Sequence, residues 1–586
     1  MQTPFKPIDF LSRDIRVDRR GDGTILLQSN HALKPYEKHV PAFLAKWARA
    51  APDRVWLAQR RGPEREWLKV TYAEAKRRVD AVTQALIDRG FGPDKPVMIL
   101  SSNSIEFALL TMAAMQARSP LAPVSPAYSV MSQDHAKLRY VFDLVKPGLV
   151  FVQNGEIYAR ALAALDLEGV LLVHVDKAPP QMQSLSWGEL VATRPTDAVA
   201  RSIEQIDAKT VGKFLFTSGS TGMPKAVINT QEMMCANLGM SQMARTRKAS
   251  DPPAVMLDWL PWNHTMGGNA TFQGNLAEGG TTYIDDGKPL PGLFEETLRN
   301  LREISPTYFA NVPAGYAMLA TALEKDDVLA QRFFKNLNSL AYGGATLPSD
   351  LYDRMETLAV KHTGYRLPFP GVQLKLVPTG EEGRYELRLK SVIVTPGYYR
   401  QPDLTAQMFD EEGFYKIGDA GRFVDPDDPS WGLIFDGRVV EDFKLMSGTF
   451  VLVGTLRTTA IAAASPVLQD AVICGQDREY VGLLGFPNLA ACRRFADDEG
   501  AKLPAAELLA HPAVVGAVRE GLARMNAEGK GSSMRVKRVV LMAEPPSVDG
   551  HEITDKGYIN QRATLQRRKA MVDKLYAGGD GVIDIP

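Results

Sequence analysis

The residues whose types and spacing most clearly suggest chemistry run Phe214-Leu215-Phe216-Thr217-Ser218-Gly219-Ser220-Thr221-Gly222-Met223-Pro224-Lys225. An apolar strand leads into a loop of hydroxyl and glycine residues that closes on a lysine. Glycines let backbone N–H groups approach phosphate oxygens, hydroxyls add donors, and the lysine supplies a compact positive charge. The order differs from G-x-x-x-x-G-K-[ST], which excludes the P-loop nucleotidase pattern. Neither H-E-x-x-H nor G-x-S-x-G occurs, which argues against a zinc protease or a serine hydrolase of the nucleophile-elbow type.

A loop of this kind has to be held by a regular scaffold, and the sequence before it alternates strand and helix. Thr71-Tyr72-Ala73-Glu74 has the form of a capping box, followed by Val79, Val82 and Leu86 at helical spacing and by Gly90 as a stop. Val97–Leu100, Leu149–Val152 and Val170–Val173 are short apolar runs suited to buried strands, and Ile105–Gln116 forms a helix between the first two. Strands separated by helices predict an α/β architecture with mostly parallel sheets in a large, multi-layer N-terminal domain.

At 586 residues the chain is too long for one hydrophobic core. The polar, proline-rich turn Asp425-Pro426-Asp427-Asp428-Pro429-Ser430, followed by Asp436-Gly437-Arg438, marks the expected boundary. It divides residues 1–435 from a small α+β domain at 436–586, with a hinge and a cleft between them. The 68 basic and 68 acidic residues give no net attraction to nucleic acid or anionic membrane. Cys235, Cys474 and Cys492 are too few and too scattered for a disulfide framework or a zinc site, and predict a reducing, cytoplasmic setting. The N-terminus lacks the apolar core of a secretory signal, and no apolar run is long enough to span a bilayer. Oligomeric state is not readable.

The string T-S-G-S-T-G-x-P-K resembles the signature loop of the adenylate-forming superfamily, which includes acyl-CoA synthetases, luciferases and peptide-synthetase adenylation domains. The likeness extends over nearly the whole chain. It implies that Thr217, Ser218, Gly219, Ser220, Thr221, Gly222 and Lys225 bind ATP phosphates. Leu260-Pro261-Trp262-Asn263-His264-Thr265-Met266-Gly267-Gly268 is similar to the segment bearing an aromatic or histidine gate beside the acid pocket, which makes His264 a catalytic candidate. Trp259 and Trp262 have two readings, as walls of an aromatic-acid pocket or as core. Tyr342-Gly343-Gly344-Ala345 resembles the turn against adenine. Tyr415-Lys416-Ile417-Gly418-Asp419 resembles Y-[RK]-T-G-D, which gives Asp419 the ribose hydroxyls, and Arg438 would reach the same sugar. The hinge falls among Val440, Glu441 and Asp442, because Glu441-Asp442-Phe443-Lys444 departs from the usual R-x-K-D. Ile553-Thr554-Asp555-Lys556-Gly557-Tyr558-Ile559-Asn560 resembles the segment with the catalytic lysine of adenylation, here Lys556.

D-K-G-Y-I-N-Q-R, P-W-N-H-T and I-D-D-G-K-P are similar to the forms found in feruloyl-CoA synthetases. The implied reaction joins ferulate or a related hydroxycinnamate to CoA through an acyl-adenylate, with ATP and CoA as co-substrates and Mg²⁺ as the family's cation. Fatty or benzoic acids on the same scaffold, or a nucleotide-binding member with impaired catalysis, are the alternatives. The third arises because a Y/W-G-x-T-E string, whose threonine holds the α-phosphate and whose glutamate binds Mg²⁺, is absent. The chain runs from Thr363 to Phe369 straight into Pro370-Gly371, as if an internal segment had been removed. No residue is therefore assigned to a metal.

Overall fold

The computed structural model describes residues 4, 6, 10–218, 223–245, 251–290, 292–343, 349–363, 365, 375–379, 382–439, 441–496, 500–528, 531–553 and 559–586. A seven-stranded sheet runs in the order Pro224–Thr230, Val211–Ser218, Leu121–Val124, Val97–Leu100, Leu149–Asn154, Leu171–Asp176, Leu185–Ser186. Its pairings are parallel apart from the antiparallel one between the first two strands. Alternate residues feed different cores: Val97, Ile99, Leu149 and Phe151 enter one, and Met98, Leu100, Val150 and Val152 enter the other. A parallel sheet covered on both faces needs apolar residues at successive positions, which is why these strands read as unbroken apolar runs.

The helix Ile105–Gln116 has every residue buried except Glu106. It shares a core with Val97 and Ile99 of the first sheet and with Trp56, Leu57 and Ile284 of a four-stranded sheet ordered Val255–Asp258, Thr281–Ile284, Val55–Arg61, Glu66–Thr71. Ser104 starts it by accepting the N–H of Phe107 at 3.0 Å. The helix Tyr72–Ile87 begins as the sequence predicts, with Thr71 accepting the N–H of Glu74. Glu74 turns instead to an ion pair with Arg78, so only half of the capping box forms.

A third, antiparallel sheet collects strands from distant parts of the chain, in the order Ile15–Arg19, Ile25–Ser29, Lys375–Pro378, Tyr385–Leu389, Tyr415–Phe423, Leu433–Arg438. The turn at 425–430, read from the sequence as the boundary, is the hairpin loop between its last two strands. The final strand continues to Arg438, past position 435. Its polar, partly exposed residues mimic a linker because one face of an antiparallel sheet can meet solvent.

Beyond this strand the chain builds its own core. Leu468–Cys474, Val481–Pro487, Val536–Leu541 and Val582–Asp584 form a mixed sheet. Ala471 and Ile473 pack with the helices Val453–Ala463 and Pro512–Glu528, whereas Val472 and Cys474 pack toward Leu565, Met571 and Leu575. Both clusters draw only on residues from Phe443 onward. The architecture is thus α/β in a large N-terminal part and α+β in a small C-terminal one.

One ion pair sits where the two parts meet. Arg384, 1% exposed, donates from Nη2 to Asp442 Oδ2 at 2.6 Å and to the Asp436 carbonyl at 2.9 Å, and from Nε to Asp436 Oδ2 at 3.2 Å. The other oxygen of Asp442 accepts the N–H of Val453, the first residue of its helix, at 3.0 Å. Removing one partner of a buried pair strands the other, a loss of about 3–5 kcal/mol. Arg384→Met should therefore lower the first thermal transition clearly, and Asp442→Leu added to it should recover part of the loss, as read by scanning calorimetry.

Candidate functional site

The phosphate-loop candidates occupy a β-hairpin. Val211–Ser218 and Pro224–Thr230 pair antiparallel, with Thr217 opposite Lys225 and Ser218 opposite Pro224. Gly219, Ser220, Thr221 and Gly222, between the strands, lie outside the described residues. The sequence suggests a strand entering a loop; the antiparallel return strand was not foreseen. Residues 395–399 anchor that strand from outside: Tyr399 donates its N–H to the Ala226 carbonyl, and Ile228 donates to that of Gly397. Lys225 Nζ lies 5.0 Å from the Tyr398 ring centroid, and burial lowers its pKa below the usual lysine value. Among the described residues no carboxylate pairs with it. A lysine at the mouth of a glycine–hydroxyl loop with no protein anion beside it is suited to phosphate oxygens.

The His264 segment is held by side chains from several elements. Asn103, just before the buried helix, donates from Nδ2 to the Leu260 carbonyl at 2.9 Å and accepts the N–H of Trp262 at 3.0 Å. Asp258 accepts the N–H of Leu260 at 3.0 Å, and Asn311 Oδ1 accepts from Trp259 Nε1 at 3.1 Å. The chain then enters a π-helix at Thr265–Gln273, and the His264 carbonyl accepts the N–H of Gly268 at 2.7 Å. Such wide turns are rare and concentrate at functional sites. Of the two tryptophans, Trp262 is core: it stacks on Phe272 with centroids 4.2 Å apart and meets Phe107 edge-on.

Gly343 approaches this segment from the next strand. Tyr308–Asn311 pairs parallel with Ser339–Tyr342, and Gly343 donates its N–H to the Asn311 carbonyl at 3.3 Å. A Cβ at position 343 would stand 2.8 Å from Met266 Sδ, so glycine permits the turn to lie against the His264 segment. Gly344 and Ala345 lie outside the described residues, as do Val440 and Lys556. Asp419 and Arg438 face each other in register on adjacent strands, with Arg438 Nε donating to Asp419 Oδ1 at 3.1 Å. They are 31% and 51% exposed, open enough for a sugar to share the carboxylate. Glu441 donates its N–H to the Arg438 carbonyl, and burial raises its pKa.

Lys556 belongs to a segment whose flanks are described. Ile553 and Ile559 form an antiparallel bridge. Glu552, wholly buried, takes Arg568 Nε at 2.5 Å and Nη2 at 2.9 Å, which fixes the base of the loop. Three residues earlier, Asp549 reaches the large part, accepting Ser132 Oγ at 2.6 Å and the Gln133 N–H at 3.0 Å, while Lys137 Nζ donates to the Val548 carbonyl at 3.2 Å. These bonds span about four hundred residues of sequence, and no local pattern announces them.

Among the described residues, no group of three or more His, Cys, Asp or Glu side chains is placed to hold a metal ion. None of the described helices is long and apolar enough to cross a membrane.

Comparison with known proteins agrees with this geometry. Residues 44–365 match the AMP-binding enzyme family and residues 454–580 match the AMP-binding enzyme C-terminal domain. The chain belongs to the AMP-binding enzyme family. It is similar to the carboxylic acid reductase of Mycobacterium tuberculosis, 26% identical over 479 residues, covering 69% of this chain and 38% of the relative. The chain thus spans well under half of that protein. A probable CoA ligase of Humulus lupulus is 22% identical over 461 residues, covering 70% of this chain and 72% of the relative. Among solved structures, the A domain of carboxylic acid reductase from Segniliparus rugosus, in complex with AMP and a co-purified carboxylic acid, superposes with a TM-score of 0.70 at 19% identity, covering 92% of this chain and 93% of that one.

Asp258 makes the site sensitive to pH. Its Oδ2 lies 2.6 Å from Thr271 Oγ1, which is 2.8 Å from the Gly267 carbonyl. Burial, aided by nearby Asp285, raises the carboxyl from 3.8 to about 7, although bonds from Thr271 and Leu260 favour the charged form. A protonated Asp258 donates to Thr271, which then donates to Gly267, so both contacts are met at once. Because the folded value exceeds the unfolded one, stability from this group is complete below pH ~4 and is lost as pH rises toward ~7, by up to about 4 kcal/mol. Asp258→Asn copies the protonated form. Its melting temperature should gain on that of the unaltered protein steadily from pH 4 to pH 7 and hold that gain above, as read by thermal unfolding across pH.

Proposed function

We propose that this protein is an ATP-dependent acid–thiol ligase that activates ferulate or a related hydroxycinnamate and transfers it to CoA. The observation that carries the reading is Lys225, a cation without a protein anion beside it among the described residues, at the mouth of the phosphate-loop hairpin. The Asp419–Arg438 pair supports it as a ribose site. The forms D-K-G-Y-I-N-Q-R and P-W-N-H-T support the choice of acid. Ligases for fatty or benzoic acids share the scaffold and are the alternative.

In the first half-reaction a carboxylate oxygen attacks the α-phosphorus of ATP and the bond to the β-phosphate oxygen breaks, releasing pyrophosphate. Lys225 offsets charge on the outer phosphates, and Lys556 bridges the carboxylate and the α-phosphate as charge builds in the transition state. His264 borders the acid. In the second, a thiol attacks the acyl carbon, AMP leaves and the thiol proton passes to solvent. The absent threonine–glutamate string favours slow turnover, with any Mg²⁺ held by the phosphates themselves. The division between the two parts belongs at 439–442, after the last strand of the antiparallel sheet.

Pyrophosphate release measured with an acid panel tests the reading. Release with ferulate and thioester formation on added CoA support it; release only with other acids reassigns the substrate; ATP binding without release leaves a nucleotide-binding protein. Lys225→Ala should raise the KM for ATP about tenfold or more, the effect of losing a charge-assisted bond, with little change in the KM for the acid. Because Asp549 docks the segment bearing Lys556, Asp549→Ala should slow pyrophosphate release about tenfold or more and spare conversion of supplied acyl-adenylate to thioester. Equal loss of both half-reactions would contradict that division of labour.

A further inference from the structure

Lys213 occupies a position where the fold calls for an apolar residue. It lies in the strand Val211–Ser218, whose Phe214 and Phe216 enter the core on one face, and it points to the other. Only 2% of it is exposed. It lines a cavity of about 10 Å³ together with Phe107, Thr111, Leu121, Trp262, Gly268 and Phe272. Such a space admits one water-sized group. No hydrogen-bond or ion-pair partner faces its amine among the described residues, and burial alone brings its pKa down to about 7.

A buried amine without an acceptor is rare in folded proteins because it forfeits hydration with no compensation. Other groups along the segment that carries His264 are unmet as well. Trp262 Nε1, Asn269 Oδ1 and Gln273 Oε1 are buried without partners, and all three residues belong to the segment that carries His264. Asn269 also bonds Asn229, the residue opposite Lys213 in the hairpin. The cavity lies against the His264 turn: a Cβ on Gly268, whose N–H is bonded to His264, would come within 3.4 Å of Lys213 Nζ. A donor fixed among aromatic rings in a space for one small group is the arrangement that reads a single oxygen on a flat, apolar ligand.

We propose that Lys213 anchors the far end of an aryl acid, donating an N–H to a ring hydroxyl oxygen, and thereby selects hydroxylated acids over their unhydroxylated counterparts. The inference rests on the reading of the His264 side as the acid pocket. The space takes the hydroxyl alone, and the amine supplies the one directional demand. A site built to bond a hydroxyl discriminates strongly against the analogue that lacks it, because its own polar group is then left buried and unmet.

Calorimetric binding of 4-hydroxycinnamate and cinnamate to the full chain, without ATP, tests this independently of turnover. The unaltered protein should bind the hydroxylated acid at least about tenfold more tightly. Lys213→Met, which fills the same space without an amine, should abolish that preference while cinnamate binds as well as before or better. Its melting temperature should not fall, and Lys213→Leu serves as the second variant if it does. A preference that survives both substitutions, or equal weakening for the two acids, overturns the proposal, since the cavity then holds water only. If the preference depends on Lys213 but no acid releases pyrophosphate, the ligase reading fails and the anchor stands. If pyrophosphate is released with an affinity ratio indifferent to Lys213, the reverse holds.

Discussion

The helix Ile105–Gln116 is pressed between two sheets, and that confinement governs the rest. Because neither end can shift without opening a core, Asn103 at its start becomes a fixed clamp on the turn before His264. Phe107, one turn on, sets the angle of Trp262, and Phe107 and Thr111 wall the Lys213 cavity. Close packing transmits position without adjustable parts. The π-helix then carries the chain from the turn back into the same core through Phe272.

The sequence discloses what depends on neighbours along the chain. The central helix was readable because Ser104 caps it and twelve residues follow without a breaker; the parallel strands were readable because both faces need apolar residues. The candidate phosphate loop stood out by the residue types that phosphate binding would demand, but its antiparallel partner strand did not, since the Pro224–Thr230 strand carries no turn signal distinguishing it from the entry to a helix. The turn at 425–430 joins two strands of one sheet, and its polar residues are those that a solvated hairpin loop and an interdomain linker share. Contacts such as Ser132 with Asp549, or Arg384 with Asp442, rest on isolated residues far apart, where no periodicity exists to be read. Lys213 escaped notice because a single lysine in an apolar run passes for a strand end until its burial is known.

Two sets of ionisable groups stand out in the structure. Lys375 with Asp410, Glu552 with Arg568, and Arg384 with Asp442 are buried and paired, and they fix geometry. Lys213 and Asp258 are buried, and Lys225 half-buried, without an opposite charge among the described residues, and all three border the hairpin or the His264 segment. A ligand can supply the charge or acceptor that the fold withholds from such groups.

Asp442 answers to both parts of the chain at once, with one oxygen on Arg384 and the other on the leading N–H of the helix Val453–Ala463. Any swing of the C-terminal core about residues 439–441 must either keep both bonds or break one outright, since a hydrogen bond weakens steeply with angle and has no useful half-made state. A joint at this place would work as a detent, with definite stops in place of a continuous arc, its stop set by a single carboxylate.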